Sequence, residues 1–191
     1  MKDLLLAHIK RHISLTNVEE EEFAGILSEK KVSKKSFLIE SGVMVNELYY
    51  VVEGCLKAYY VDNLGNKHIL QFAIEDWWIT DFNALHNNIP AELYIEAIEN
   101  CTVLAISTVA LEELYIRIPK FERFFRILYT NAFIALRKRV MSSLHRTNST
   151  RYLEFYERYP NIERRVTNYH IANYLGITAE SLCRIRRDLG M

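Results

Sequence analysis

Three side chains near the C-terminal end of the chain carry groups that hydrogen-bond well to DNA bases. Glu180, Arg184 and Arg187 are spaced by four and three residues, and this spacing places them on one face of a helix. An arginine can donate two hydrogen bonds to O6 and N7 of guanine, and a glutamate can accept one from the amino group of cytosine. The spacing therefore predicts a helix that reads base edges in a major groove.

The residues around this helix predict how it is positioned. Thr167 and Thr178 are of the type that caps the start of a helix, and Gly176 suits the left-handed position that ends one. The apolar positions of the two short helices would pack together, namely Ile171, Ala172, Leu175, Leu182, Ile185 and Leu189. Two short helices joined by a glycine turn predict a helix-turn-helix unit.

The other predicted DNA contacts surround the reading face. Arg186 lies on its flank, and Arg164 and Arg165 precede the unit, where they suit phosphate groups. The amides at the capped start of the second helix also favour phosphate. The full predicted set is Thr167, Thr178, Ala179, Glu180, Ser181, Arg184, Arg186 and Arg187, with Arg164 and Arg165. The alternative is an ordinary helical hairpin with a solvated charged face, or one that binds protein.

The distribution of charge along the chain supports this prediction. The 191 residues carry 24 basic and 24 acidic side chains, so the net charge is zero. Residues 1 to 119 carry a net charge of −8 and the remainder +8, and 12 of the 14 arginines follow Pro119. Arginine presents a planar donor fork that suits phosphates and guanine. From Arg146 onward the excess is only +3, so the directions of individual arginines matter more than bulk charge.

Composition excludes several classes of protein. Half of the residues are hydrophobic, which is enough for a core and excludes a largely disordered chain. No apolar run approaches the roughly 20 residues that cross a bilayer, and no signal-peptide pattern is present, so we expect a cytoplasmic protein without a membrane partner. The three cysteines fit neither a disulfide framework nor a metal site. No catalytic constellation is legible, and we expect no cofactor, no metal and no enzyme activity.

The first half of the chain contains mainly strand patterns. From Val32 to Ile106 the apolar pattern has a period of two, in short segments separated by turn residues, which is typical of an antiparallel sandwich or barrel. The segment 94–98 is predicted to pair with 103–106 across a short turn. Before the strands, residues 4 to 29 are predicted to be helical, with Thr16 and Glu19 forming a capping box.

A long helix is predicted to start at Pro119. Apolar residues recur at steps of three and four from Phe121 to Leu144, which corresponds to a helix of about 40 Å at 1.5 Å per residue. One apolar stripe would pack on its own domain, and a second copy of the chain is the simplest partner for the other. The alternative is a long core helix of a monomer. A further helix over 151–159 is predicted to end at Pro160.

Taken in order, these elements resemble the Crp/Fnr family of bacterial transcription regulators. The similar stretches are 39–42, 48–54, 62–65 and 170–185, of which the last is the most specific. The resemblance implies an α+β fold with an N-terminal cyclic-nucleotide-binding-like antiparallel β-roll (jelly roll) of eight strands and a C-terminal helix-turn-helix. The wing beyond that unit would be truncated, because the chain stops at Met191. The implied domains are 1–118, a dimerisation helix at 119–145, and 146–191.

The same resemblance implies a function and partners. The chain would be a homodimer formed through the 119–145 helix, with its two recognition helices in successive major grooves of a palindromic operator, roughly 34 Å apart. The roll would sense a small-molecule effector, and RNA polymerase would be a further partner. A ligand-sensing or protein-interaction module of the same fold, without specific DNA binding, is the alternative function.

The roll departs from the family where a cyclic nucleotide would bind. Cyclic-nucleotide-binding members hold the ribose and the cyclic phosphate with a Gly-Glu pair and a later Arg-Ser pair, and here the latter positions are Ala91 and Glu92. A carboxylate repels a phosphate, so cyclic AMP is not expected to bind. Either an altered pocket takes a small neutral or cationic molecule, or the pocket is closed. The predicted pocket residues are Trp77, Trp78, Thr80, Asp81, Ala91 and Glu92, although at least one tryptophan could instead belong to the core.

Two other cofactors of the family find little support in the sequence. An iron–sulfur cluster needs cysteines near the N-terminus, and none precedes Cys55. His68 and His86 leave a haem ligand open, although an isolated histidine is more often structural.

Overall fold

The computed structural model describes residues 2–191, and Met1, the first residue of the predicted 1–118 domain, lies outside the described residues. The strands are β1 (Ser28–Val32), β2 (Phe37–Ile39), β3 (Glu47–Glu53), β4 (Leu56–Val61), β5 (Lys67–Ala73), β6 (Trp78–Ile79), β7 (Tyr94–Ala97) and β8 (Cys101–Ser107). The helices are α1 (Lys2–Lys10), α2 (Asn17–Gly25), α3 (Phe82–Asn87), α4 (Thr108–Arg117), α5 (Lys120–His145), α6 (Asn148–Arg158), α7 (Pro160–Arg165), α8 (Asn168–Leu175) and α9 (Ala179–Asp188). None of these helices is long and apolar enough to cross a membrane.

The strands form a roll, residues 28–107, of two antiparallel four-stranded sheets. One sheet has the order β1-β8-β3-β6, and the other has the order β2-β7-β4-β5. Alternate residues of a strand point to the same side, and the facing sides bury a common cluster that includes Val51, Leu56, Ile95 and Val103. The predicted antiparallel β-roll is confirmed.

The predicted pairing between the segments 94–98 and 103–106 is wrong. β7 pairs with β2 and β4, whereas β8 pairs with β1 and β3. The chain crosses from one sheet to the other between these strands, so that Ile95 and Val103 face each other across the core. A short turn between two strands usually indicates a hairpin, but here burial of both inner faces overrides that local preference.

The N-terminal region contains two helices and a strand. The Thr16 hydroxyl accepts a hydrogen bond from the amide of Glu19, and the Glu19 carboxylate accepts one from the amide of Thr16, as the capping box predicts. The helical prediction over 4–29 is confirmed for α1 and α2 but is wrong at its end, because residues 28 and 29 belong to β1. β1 follows α2 and pairs along its whole length with β8, a long-range contact that the local pattern does not indicate.

The helix α5 begins against the roll and then extends away from its core. It starts directly after Pro119 and runs for 26 residues. Phe121, Phe124 and Phe125 near its start are buried in a cluster with residues of α1, α2 and α4. The long helix predicted after Pro119 is therefore present, and its first turns are fixed by apolar packing.

The last four helices form the terminal helical unit, residues 148–188. α6 ends at Arg158, just before Pro160 as predicted. Pro160 itself starts α7, where its missing N–H costs nothing. Gly176 ends α8 in the left-handed conformation, with φ of 67°. Leu182 and Ile185 are buried as expected, but Leu189 is 38% exposed because α9 has already ended.

The terminal helical unit packs against the outer face of β4 and β5. Tyr59 and Phe72 of these strands belong to the same apolar cluster as Phe155 and Ile171 of the terminal helical unit. All four side chains are at most 3% exposed. The roll and the terminal helical unit therefore share a buried apolar cluster at their contact.

Gly54, between β3 and β4, lies at a close approach of two segments. Its φ is 107°, and an added Cβ would lie 2.5 Å from Sγ of Cys101. We expect Gly54→Ala to lower the free energy of unfolding by about 2 to 5 kcal/mol, because backbone strain and overpacking combine. Gly42→Ala is the control, since its φ is 88° but its surroundings are open, and we expect a loss of about 1 kcal/mol. Urea denaturation measures both, and equal losses would contradict the close approach.

Candidate nucleic-acid interface

The helix α9 presents the predicted reading face to solvent. Glu180, Arg184 and Arg187 are exposed, while Leu182 and Ile185 on the opposite side are buried in the terminal helical unit. The exposed face contains a shallow cleft of about 390 Å³, lined by these three charged residues with Ala179 and Cys183. The structure thus brings the charged residues together on a helix whose back is fixed by apolar packing.

The two predicted threonine caps hold the helices of this unit. The Thr178 hydroxyl accepts a hydrogen bond from the amide of Ser181 at 3.1 Å and lies 3.1 Å from the Ser181 hydroxyl. Thr167 caps α8 in the same way, by accepting from the amide of His170. A hydrogen bond from its own backbone amide and one from Thr178 lower the pKa of Glu180. Glu180 is therefore ionised at neutral pH and can only accept hydrogen bonds from a base.

The predicted phosphate-binding arginines have different surroundings. Arg164 is exposed. Arg165 donates to Glu75 at 2.7 and 3.0 Å, and it also pairs with Glu99. Both acidic partners belong to the roll. The hydrogen bonds that Arg165 donates to Glu75 are the main cause of its raised pKa. Both terminal nitrogens of Arg165 are therefore engaged by the roll.

Arg186 is engaged within the terminal helical unit. It pairs with Glu163 of α7 and lies 5.4 Å from the ring centre of Tyr152. Its side chain is 22% exposed. Its contact with phosphate remains a prediction, and in this conformation its charge is already balanced by a carboxylate.

Asn173 binds the exposed edge of the roll. Its side-chain oxygen accepts from the amide of Ile69 at 2.6 Å, and its side-chain amide donates to the carbonyl of Lys67. Both backbone groups lie on β5, the outer strand of its sheet, so the side chain pairs with the strand edge as another strand would. Sequence reasoning missed this residue, because its partners lie about a hundred positions away along the chain.

A buried lysine lies in the same interface. Lys57 of β4 is 5% exposed, and its ammonium group lies 3.2 Å from Glu96 and 3.1 Å from Nε2 of His170 on α8. Burial and the charge of Lys57 lower the pKa of His170, while Glu96 acts in the opposite direction and Lys67 adds a smaller lowering. His170 is therefore neutral at neutral pH, and its unprotonated nitrogen can accept from Lys57.

The residues predicted to form an effector pocket do not line one cleft. A second cleft, the roll cleft, has a volume of about 520 Å³ and is lined by residues 41–42, 60–61, 90–92 and 94. Of the six predicted residues, only Ala91 and Glu92 belong to it. Residues 41 and 42 of this cleft belong to the stretch 39–42 that carries the family resemblance. Nothing in the local sequence marks Tyr60 and Tyr94 as cleft residues.

The other four predicted pocket residues have structural contacts. Trp78 is 6% exposed and packs against Tyr50 and Phe125. Thr80 is buried and donates to the carbonyl of Glu47, and the buried Asp81 caps α3. Trp77 packs against Tyr159 of the terminal helical unit, with ring centres 5.6 Å apart. The tryptophan pair thus joins the roll to α5 and to the terminal helical unit.

Within residues 2–191 there is no cluster of three or more metal-ligating side chains. Cys55 and Cys101 are buried and Cys183 is exposed, all as free thiols. Burial raises the pKa of Cys55 to about 12, so it remains protonated. His68 pairs with Asp62 on an exposed turn.

The Lys57–His170 contact predicts an acid-sensitive interface. Because the folded protein disfavours protonated His170, unfolding takes up a proton as the pH falls below the ordinary histidine value of about 6.5. We expect stability to decrease from about pH 6.5 toward the lowered pKa, with a slope below about 1.4 kcal/mol per pH unit from this residue. His170→Gln should remove this part of the slope. Urea denaturation between pH 5 and 8 tests this, and an unchanged slope in the variant would contradict it.

Comparisons with known proteins agree with this architecture. Residues 29–117 match the model of the cyclic nucleotide-binding domain. The anaerobic regulatory protein of Pasteurella multocida (strain Pm70) is 24% identical over 199 residues, which cover 96% of this chain and 71% of that protein.

Solved structures share the fold over nearly the whole chain. The c-di-GMP-responsive global regulator CLP of Xanthomonas campestris matches with a TM-score of 0.74 at 13% identity and covers 92% of each chain. A protein from Eubacterium rectale assigned to the crp/fnr family of transcriptional regulators matches with a TM-score of 0.70 at 17% identity, over 92% of this chain and 84% of that one. Residues 29–117 are therefore similar to the cyclic nucleotide-binding domain, and the chain as a whole shares the fold of these Crp/Fnr-type structures.

Proposed function

We propose that this protein is a homodimeric, sequence-specific DNA-binding regulator of transcription. The observation that carries the proposal is the outward face of α9, where Glu180, Arg184 and Arg187 are exposed together on a capped helix with a buried back. In this proposal Arg184 reads a guanine and Glu180 accepts a hydrogen bond from a cytosine amino group. Arg164 and the amides at the start of α9 would contact phosphates and fix the register.

The exposed part of α5 supports a dimer. Beyond its buried first turns, Phe133, Leu136, Val140 and Leu144 recur at steps of three and four, and each is between 49% and 80% exposed. An apolar stripe of this length on a surface helix indicates a protein partner. We infer that the partner is a second copy of the chain, because a two-fold axis along this helix would present two α9 helices to one operator.

The roll cleft supports an effector other than a cyclic nucleotide. Among the described residues that line it there is no lysine or arginine, and Glu92 contributes a carboxylate. A cyclic phosphate would meet repulsion and find no charged donor there. A small neutral or cationic molecule suits this lining better.

Selection of bound sequences from random DNA tests the function, and a two-fold symmetric consensus is the expected result. On the selected site, Arg184→Ala should cost about 1 to 3 kcal/mol of binding free energy and relax one base position. Arg164→Ala should weaken binding to selected and random DNA alike and reduce the salt dependence by about one phosphate contact. Equal effects of Arg184→Ala on both DNAs would contradict its role in base reading. Binding that does not change with salt would favour a protein-interaction role.

The dimer helix gives a separate prediction. Phe133→Glu would place a charge in the proposed helix contact, and we expect it to convert the dimer into a monomer at micromolar concentration without unfolding it. Ile116→Glu is the control, because Ile116 is 82% exposed on α4, outside the proposed contact. Sedimentation velocity measures both variants. A wild-type monomer, or a Phe133→Glu dimer, would show that α5 does not form the interface.

A further inference from the structure

Arg165 is held by two carboxylates of the roll. Its two terminal nitrogens donate to both oxygens of Glu75, at 2.7 and 3.0 Å, and one of them also pairs with Glu99. A guanidinium between carboxylate oxygens makes the same bidentate contacts that it would make with a phosphate. The carboxylates of the roll thus present anionic oxygens to Arg165, as a DNA phosphate would.

The acidic side of this contact is fixed in place. Glu75 follows β5, and its Oε1 also accepts from the amide of Gly54 at 2.8 Å. Partial burial disfavours the charge of Glu75, but the hydrogen bonds from Arg165 and Gly54 outweigh it and lower its pKa. Glu99 stands in the short crossing between β7 and β8. Both acidic residues are therefore attached to the sheet framework.

The position of Arg165 makes its engagement relevant to DNA binding. It is the last residue of α7 and precedes Thr167, the cap of α8, by two residues. Its neighbour Arg164 is exposed and unconstrained by such a fork. Arg165 therefore lies directly before the helix-turn-helix unit. The roll binds Arg165 and leaves Arg164 exposed.

We propose that Glu75 and Glu99 form an autoinhibitory contact that competes with a DNA phosphate for Arg165. This inference rests on the proposed DNA-binding function. The contact lowers DNA affinity, because binding must first separate Arg165 from two carboxylates. It also gives the acidic roll a direct means of controlling the terminal helical unit, since any movement of Glu75 or Glu99 changes the availability of one phosphate-binding group.

The test uses Glu75→Gln/Glu99→Gln in the full-length chain. Glutamine keeps the acceptor for the Gly54 amide but removes the charge that competes with phosphate. We expect this double variant to bind both selected and random duplex DNA about five- to tenfold more tightly at fixed salt, within the usual range of coupling between sites. Glu21→Gln/Glu112→Gln is the control for net charge, because both of those acids are exposed on α2 and α4, and it should change affinity by less than about twofold.

A combined variant separates competition from simple docking. Adding Arg165→Ala to the double glutamine variant should weaken DNA binding about tenfold and reduce the salt slope by about one phosphate contact. In the wild-type background the same substitution should have a smaller effect, because it also removes the inhibitory contact. No change on adding Arg165→Ala to the glutamine variant would show that Arg165 does not reach phosphate, and would overturn the proposal.

The remaining outcomes distinguish this inference from the function on which it rests. If the wild type binds DNA specifically but the double glutamine variant binds no more tightly than its charge control, the autoinhibitory role is wrong and the function stands. If the double glutamine variant binds more weakly, the contact belongs to the DNA-bound conformation. If neither protein binds DNA, both the proposed function and the autoinhibitory role are wrong.

Discussion

The rest of the arrangement depends on the packing of the terminal helical unit against β4 and β5. Tyr59 and Phe72 are buried there with side chains of α6 and α8. Apolar burial has no direction of its own, so polar groups must fix the register of the two surfaces. Asn173 does so at the strand edge, and Arg165 does so at the other end of β5, beside Glu75. The direction in which α9 faces solvent follows from this combination.

The short segment after β5 links this interface to the remainder of the molecule. Glu75 binds the terminal helical unit, and the ring of Trp77 packs against it. Between them, Asp76 accepts hydrogen bonds from His8 of α1, from Arg11 just after it and from Tyr50 of β3. Trp78 packs on α5. Asp76 has a φ of 72°, a strained value for a residue other than glycine that these contacts maintain. Four consecutive residues, 75–78, thus contact α1, α5 and the terminal helical unit.

The helix-turn-helix unit was predictable from sequence because its signals act locally. Thr167, Gly176 and Thr178 satisfy or terminate backbone groups within a few residues, so their types and spacing are sufficient. The strand pairings, and the contacts between the roll and the terminal helical unit, were not predictable from sequence, because they join residues that are distant along the chain. The edge of β5 is open only because the sheet ends there, and no local pattern shows that Asn173 will cover it. The neighbours of the tryptophan pair are equally distant in sequence, since they include residues of α5 and of the terminal helical unit.

The arginines show a second limit on prediction from sequence, and this limit is chemical. A planar guanidinium binds carboxylates and phosphates with the same geometry, so the abundance of arginine in the second part of the chain cannot distinguish a DNA contact from an internal ion pair. The structure separates the two groups: Arg165 and Arg186 face carboxylates, while Arg164, Arg184 and Arg187 face solvent. The zero net charge is the sum of an acidic first part of the chain and a basic second part. Arg165 of the basic part already pairs with Glu75 of the roll, so the positive charge available to DNA is smaller than the sequence count and depends on whether this contact is intact.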